Sequence, residues 1–127
     1  MRFMCLVYID RSKISKMTPE EGRQLTDDTI DEDKALLASG QLILAQPLGE
    51  PETAVTLRLR DGKMSRTDGP FAETKEHLGG ITFIEAANIE EAVAISTNSA
   101  ILKYGSIEVR PVLEQTHSVT GEARPRI

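Results

Sequence analysis

The feature that most constrains the fold is the order of two helical segments, each lying between two short apolar runs. Thr18, Pro19 and Glu21 form a capping-box pattern that predicts the start of a first helix, which should end at Gly40. Asn88 begins a second helix in the same way. A chain with two successive strand-helix-strand units can adopt only a few compact folds.

The strands are predicted from apolar runs and from alternating patterns. The apolar runs cover Phe3–Ile9, Gln41–Ala45, Ile81–Ala87 and Ile107–Val112. Asp61-Gly62 is a two-residue hairpin signal, and alternating residues flank it over 53–60 and 63–67. This order predicts an α+β, ferredoxin-like split β-α-β domain with an inserted β-hairpin. We expect a single domain over residues 1–115 and a polar, loosely ordered tail over residues 116–127.

Two helices cover only one face of such a sheet. The strand Ile81–Ala87 nevertheless directs Ile81 and Phe83 to one face and Ile84 and Ala86 to the other. An uncovered apolar face requires a partner surface. The sequence therefore predicts a homodimer formed through the sheet face.

Charge and composition exclude several functional classes. The formal net charge of −5 argues against a general nucleic-acid binder, which needs a basic face. No apolar stretch is long enough to span a membrane, and the apolar start of the chain is too short for a signal peptide, so a cytoplasmic protein is expected. Cys5 is the single cysteine; it cannot form an internal disulfide and is expected to be a buried, unreactive side chain.

One segment resembles a known family. Residues 67–76, with the sequence TDGPFAETKE, are followed by Leu78-Gly79-Gly80, and this stretch resembles the signature of DGPF-domain proteins within the YCII-related group. Residues 18–21 and 104–112 agree with the same group, and the resemblance extends from Met1 to about Gln115. It implies a dimeric α+β barrel and says little about activity. Some members have a proposed His–Asp pair, but the first helix here contains no histidine, so that pair cannot be transferred.

The signature segment contains several side chains able to take part in catalysis or binding. Asp68 could act as a general base, or it could stabilise a tight turn with Gly69. His77 could transfer protons near neutral pH, and Lys75 could bind an anionic ligand, although exposed charged segments have the same composition. Arg110 could bind a carboxylate, or it could pair with Glu108 on the same strand face.

The first helix has acidic residues in its middle. At helical spacing Leu25, Thr29, Glu32 and Leu36 form one stripe, and Asp33 lies on the adjoining arc. The spacing predicts that at least one of Glu32 and Asp33 is directed toward the sheet, where desolvation would raise its pKa. In similar families ligands bind in this cleft between helix and sheet; the alternative is a solvated acidic helix face.

These residues leave three hypotheses open. The first is a small-molecule enzyme of lyase or isomerase type that acts on a small anionic metabolite, with Asp68, Glu32 and His77 as catalytic residues and Lys75, Arg110 and Asp33 in binding. The second is a non-catalytic ligand-binding or regulatory accessory protein, and the third is a structural homodimer. The sequence contains no phosphate loop, no Ser-His-Asp order and no metal-binding His pair, so no cofactor and no metal are expected.

Overall fold

The main sheet has four antiparallel strands. The computed structural model describes residues 1–125. Its strands are β1 (Arg2–Asp10), β2 (Leu42–Pro47), β3 (Val55–Arg60), β4 (Lys63–Asp68), β5 (Glu76–Glu85) and β6 (Gly105–Pro111), and its helices are α1 (Arg11–Ile14), α2 (Pro19–Ala38) and α3 (Ile89–Thr97). The strand order of the main sheet is β2-β5-β1-β6. Short 3-10 turns cover Pro51–Thr53 and Ala100–Lys103. The predicted α+β class is confirmed, and the strand order agrees with a ferredoxin-like domain.

The predicted helix starts are confirmed. The hydroxyl of Thr18 accepts a hydrogen bond from the backbone N–H of Glu21, and the Glu21 carboxylate accepts one from the N–H of Thr18. The Asn88 side chain accepts a hydrogen bond from the N–H of Glu91 at the start of α3. Each cap satisfies backbone donors that have no partner within the helix, and so sets the residue at which the helix begins.

The core lies between α3 and the centre of the sheet. Phe3 and Ile84 face each other on β1 and β5, and both are fully buried. Cys5 and Ala92 are also buried there, and the partly buried Leu42, Ile95, Ile107 and Val109 pack around them. In contrast, α2 has no buried residue along its 20 residues. The two helices therefore contribute unequally to the core.

The predicted hairpin is confirmed and forms a separate two-stranded sheet of β3 and β4. Asp61 and Gly62 both have positive φ, as a tight two-residue turn of the primed type requires. Val55, Leu57, Leu59 and Met64 are 46–66% exposed. The hairpin thus directs its apolar side chains away from the core of the chain.

Three details differ from the sequence prediction. A short helix, α1, follows β1 where a loop was expected, because Asp10 accepts a hydrogen bond from the N–H of Ser12 and caps it. Strand β5 begins at Glu76, five residues earlier than predicted, with a register shift that leaves Gly79 unpaired opposite β1. The tail forms a turn with a bridge between Thr116 and Ala123 rather than loose coil, and the last two residues of its predicted range lie outside the described residues.

None of the helices within residues 1–125 has the length and apolar character needed to cross a membrane.

Two glycines provide a test of the packing at the start of β6. A methyl group on Gly105 would overlap the backbone carbonyl of Tyr8 on the neighbouring strand, whereas one on Gly22 in α2 would meet open space. We expect Gly105→Ala to lower the free energy of unfolding by about 1–3 kcal/mol because the backbones must separate. The matched change Gly22→Ala should raise it by about 0.5–1 kcal/mol through helix propensity.

Urea unfolding of both variants measures these changes. Equal stability of the Gly105→Ala variant and the wild type would contradict the close approach of β6 to β1.

Candidate functional site

A cleft of about 680 Å³ separates α2 from the sheet. Its roof is the predicted helix stripe, with Leu25, Thr29 and Leu36 among its residues, and its floor includes Ala45 and Gly80 from the edge of the sheet. A volume of this size is in the range of small-molecule pockets. The cleft is therefore taken as the candidate site.

Small and polar side chains keep the cleft open. On the sheet, Gly79, Gly80 and Ala45 offer little volume under the helix. On α2, the Thr29 hydroxyl donates to the carbonyl of Leu25 in its own helix, so this side chain does not extend across the gap. Because the cleft lies between α2 and the sheet, no residue of α2 is buried, whereas α3 buries Ala92.

Glu32 and Asp33 both line the cleft, as the helical spacing predicted. One carboxylate oxygen of Glu32 accepts a hydrogen bond from the backbone N–H of Ala100 at 3.0 Å, which ties the second 3-10 turn to α2. Asp33 is half-buried and has no hydrogen bond or ion pair with any described residue. Burial, and then the adjacent negative charge of Glu32, raise the pKa of Asp33 above its ordinary value.

Cys5 lies in the wall of the cleft but is not an activated thiol. Its side chain is 3% exposed, and Sγ lies 3.6 Å from the hydroxyl oxygen of Ser96. Burial raises the pKa of the Cys5 thiol, so the reactive thiolate is disfavoured. The prediction of a buried cysteine is confirmed, and its low reactivity stays a prediction.

A second polar cluster surrounds the end of β1, outside the cleft. Asp10 is 4% exposed, and its carboxylate accepts hydrogen bonds from both the N–H and the hydroxyl of Ser12. Lys75 Nζ lies 3.8 Å from the other Asp10 oxygen. The hydrogen bonds from Ser12, and then the positive charge of Lys75, hold the pKa of Asp10 below its ordinary value. The Asp10 carboxylate therefore caps α1 and forms an ion pair with Lys75 of the signature segment.

His77 lies close to the same cluster, since it pairs with Ile9 in the β1–β5 register. Nearby, the Arg11 guanidinium donates to the carboxylate of Glu52 at 2.6 Å and lowers the pKa of Glu52 to about 2. Lys75 and His77 both lie near the end of β1, and neither side chain lines the cleft.

The other predicted residues lie elsewhere. Asp68 ends β4 opposite Val55 in the hairpin and is exposed. Arg110 Nε lies 3.1 Å from a carboxylate oxygen of Glu108, the partner that the sequence had suggested. Neither residue lines the cleft. Of the six predicted site residues, only Glu32 and Asp33 do so, and the roles of all six stay predictions.

Residues 1–125 contain no group of three or more His, Cys, Asp or Glu side chains placed to hold a metal ion.

Two parts of this arrangement were not predicted from the sequence. The apolar run predicted only the end of a strand at Asp10, although the Asp-Arg-Ser order is also a recognisable helix-cap signal. The contribution of Gly79 and Gly80 to the cleft floor was also missed, because a glycine pair indicates a turn as readily as an open surface.

The raised pKa of Asp33 predicts a pH-dependent gain in stability from Asp33→Asn. The folded state disfavours the charged carboxylate, so at about pH 7 the neutral amide should raise the urea midpoint. The gain should shrink as the pH falls to about 4 and below, where Asp33 becomes protonated in both the folded and unfolded states.

Asp68→Asn is the matched control, because Asp68 is exposed, and it should leave the midpoint nearly unchanged. A loss of stability in Asp33→Asn that is equal at both pH values would contradict the desolvation of this carboxylate.

Comparison with known proteins agrees with the resemblance of the signature segment. Residues 1–116 match the model of the YCII-related domain. An uncharacterised protein of Rhizobium meliloti (strain 1021) is 35% identical over 114 residues, which cover 88% of this chain and 92% of that protein. The chain therefore belongs to the YCII-related family.

Proposed function

We propose that this protein is a small-molecule-binding domain whose ligand occupies the cleft between α2 and the sheet. The observation that supports the proposal is that α2, a helix of 20 residues, has no buried residue and stands over a cleft of about 680 Å³. A ligand that fills the cleft would bury the apolar side chains of both walls, and that burial favours binding.

The site is suited to acid/base chemistry on a bound molecule. Burial raises the pKa of the Asp33 carboxyl above its ordinary value, which is the direction that suits a carboxyl group to act as a general acid. Glu32 holds the nearby 3-10 turn in place through Ala100 and contributes a second negative charge. Catalysis would be a further step beyond ligand binding, and a turnover assay is the measurement that distinguishes an enzyme from a protein that only binds the ligand.

Native mass spectrometry of protein freshly purified from cells tests for a retained ligand. Ala35 lines the cleft and Ala38, three residues later on the same helix, does not. We expect a bound molecule of constant mass in the wild type and in Ala38→Trp, and its loss in Ala35→Trp, because the indole fills the cleft.

Retention of the same mass by Ala35→Trp would place the ligand outside the cleft and contradict the proposal.

We further propose a homodimer formed through the sheet face opposite α2 and α3. The register directs Met4, Leu6 and Tyr8 of β1 to that face, opposite to the buried Phe3 and Cys5. Several neighbouring side chains there are also apolar and partly exposed in the single chain: Leu44, Ile81 and Phe83. Joining two such faces would remove a continuous apolar surface from water.

Sedimentation velocity of Leu6→Glu tests this interface. A carboxylate in the middle of the buried face would be desolvated without a partner, so we expect the dimer of the wild type to become a monomer. Leu37→Glu is the matched control: Leu37 lies on α2 and is 64% exposed, so this variant should remain dimeric.

A monomeric wild type, or a dimer that persists in a folded Leu6→Glu variant, would contradict the proposed interface.

A further inference from the structure

The ionisable side chains that line the cleft are all acids or the buried thiol. Glu32 and Asp33 come from α2 and Cys5 comes from β1, and no lysine, arginine or histidine is among the described residues of the lining. The two cations expected to bind an anionic ligand are placed elsewhere, each beside a carboxylate. Lys75 lies near Asp10, and Arg110 pairs with Glu108.

The two carboxylates of the cleft differ in what they already bind. Glu32 accepts the backbone N–H of Ala100. Asp33 is the one ionisable side chain of the lining that has no hydrogen bond or ion pair with any described residue. A half-buried acceptor without a partner favours a ligand that supplies a donor, because the pairing offsets the cost of removing the carboxylate from water.

We infer that the cleft selects apolar molecules with a hydrogen-bond-donating head, an alkyl or aryl ammonium above all, and disfavours carboxylates. This inference rests on the proposed binding of a ligand in the cleft. An ammonium group can donate to Asp33 while its hydrocarbon chain lies along the apolar floor of the cleft. An anion of the same size meets two carboxylates and no counter-charge from the lining, so its desolvation is not compensated.

This ligand class differs from the small anionic metabolite expected from the sequence. That expectation assigned the anionic group of the substrate to Lys75 or Arg110, with Asp33 also in binding. The structure separates them: Asp33 lines the cleft, whereas the other two do not. The inferred ligand class therefore follows from the two carboxylates that line the cleft, Glu32 and Asp33.

Three compounds that share one hydrocarbon chain test the inference: n-octylamine, 1-octanol and octanoate, titrated into the full-length protein by calorimetry. We expect octylamine to bind the wild type about tenfold or more tightly than octanoate, as for a hydrogen bond to a charged group, with octanol between them. Asp33→Asn should largely remove this preference. Asp27→Asn, a change of the same kind at an exposed position of α2 outside the cleft, should preserve it.

The possible results separate this inference from the function on which it rests. Octanoate binding as tightly as octylamine, or a preference unchanged in Asp33→Asn, overturns the ligand class and leaves cleft binding in place. Equal binding of all three compounds to Ala35→Trp and to the wild type overturns the cleft as the site. If none of the three binds the wild type, the ligand class is wrong, and the retained mass in the native spectrum decides whether the cleft binds another kind of molecule.

Discussion

The pairing of β1 with β5 on one side and β6 on the other is the interaction on which the rest of the domain depends. As one of the two central strands of the sheet, β1 contributes Phe3 and Cys5 to the core on one face and Leu6 to the opposite face. Its last residue, Asp10, caps the short helix α1 and forms an ion pair with Lys75 of the signature segment. Because side chains alternate along a strand, this one register decides which residues form the core, the cleft wall and the proposed dimer surface.

The two long helices pack differently on that sheet, and the difference produces the candidate site. Helix α3 places Ala92 against the buried pair of Phe3 and Ile84, so its inner face becomes part of the core. Helix α2 has no buried residue: Leu25, Thr29 and Leu36 line the cleft, and the sheet below it offers glycine and alanine at Gly80 and Ala45. One helix thus supplies stability, and the other forms the roof of a cleft in which a partnerless carboxyl group is held.

Much of the fold could be predicted because its signals are local. The caps at Thr18 and Asn88 and the turn at Asp61-Gly62 depend on residues within a few positions of one another, and all three are found as predicted. The early start of β5 was missed because polar residues such as Glu76 pair there through a bulge that only the neighbouring strand determines. For the site, helical spacing identified Glu32 and Asp33, whereas the separation of Lys75 and Arg110 from them depends on tertiary placement. The volume of the cleft could not be predicted from the sequence either, because it depends on how far α2 stands from the sheet in the folded chain.

The hairpin of β3 and β4 has a further consequence for how this chain can vary. It leaves the sheet after β2 and returns at β5, and these two strands already pair directly with each other. The ends of the excursion are therefore held together whether or not the hairpin is present. Since the entropy of closing such a loop changes only slowly with its length, residues can be gained or lost here at little cost to the core.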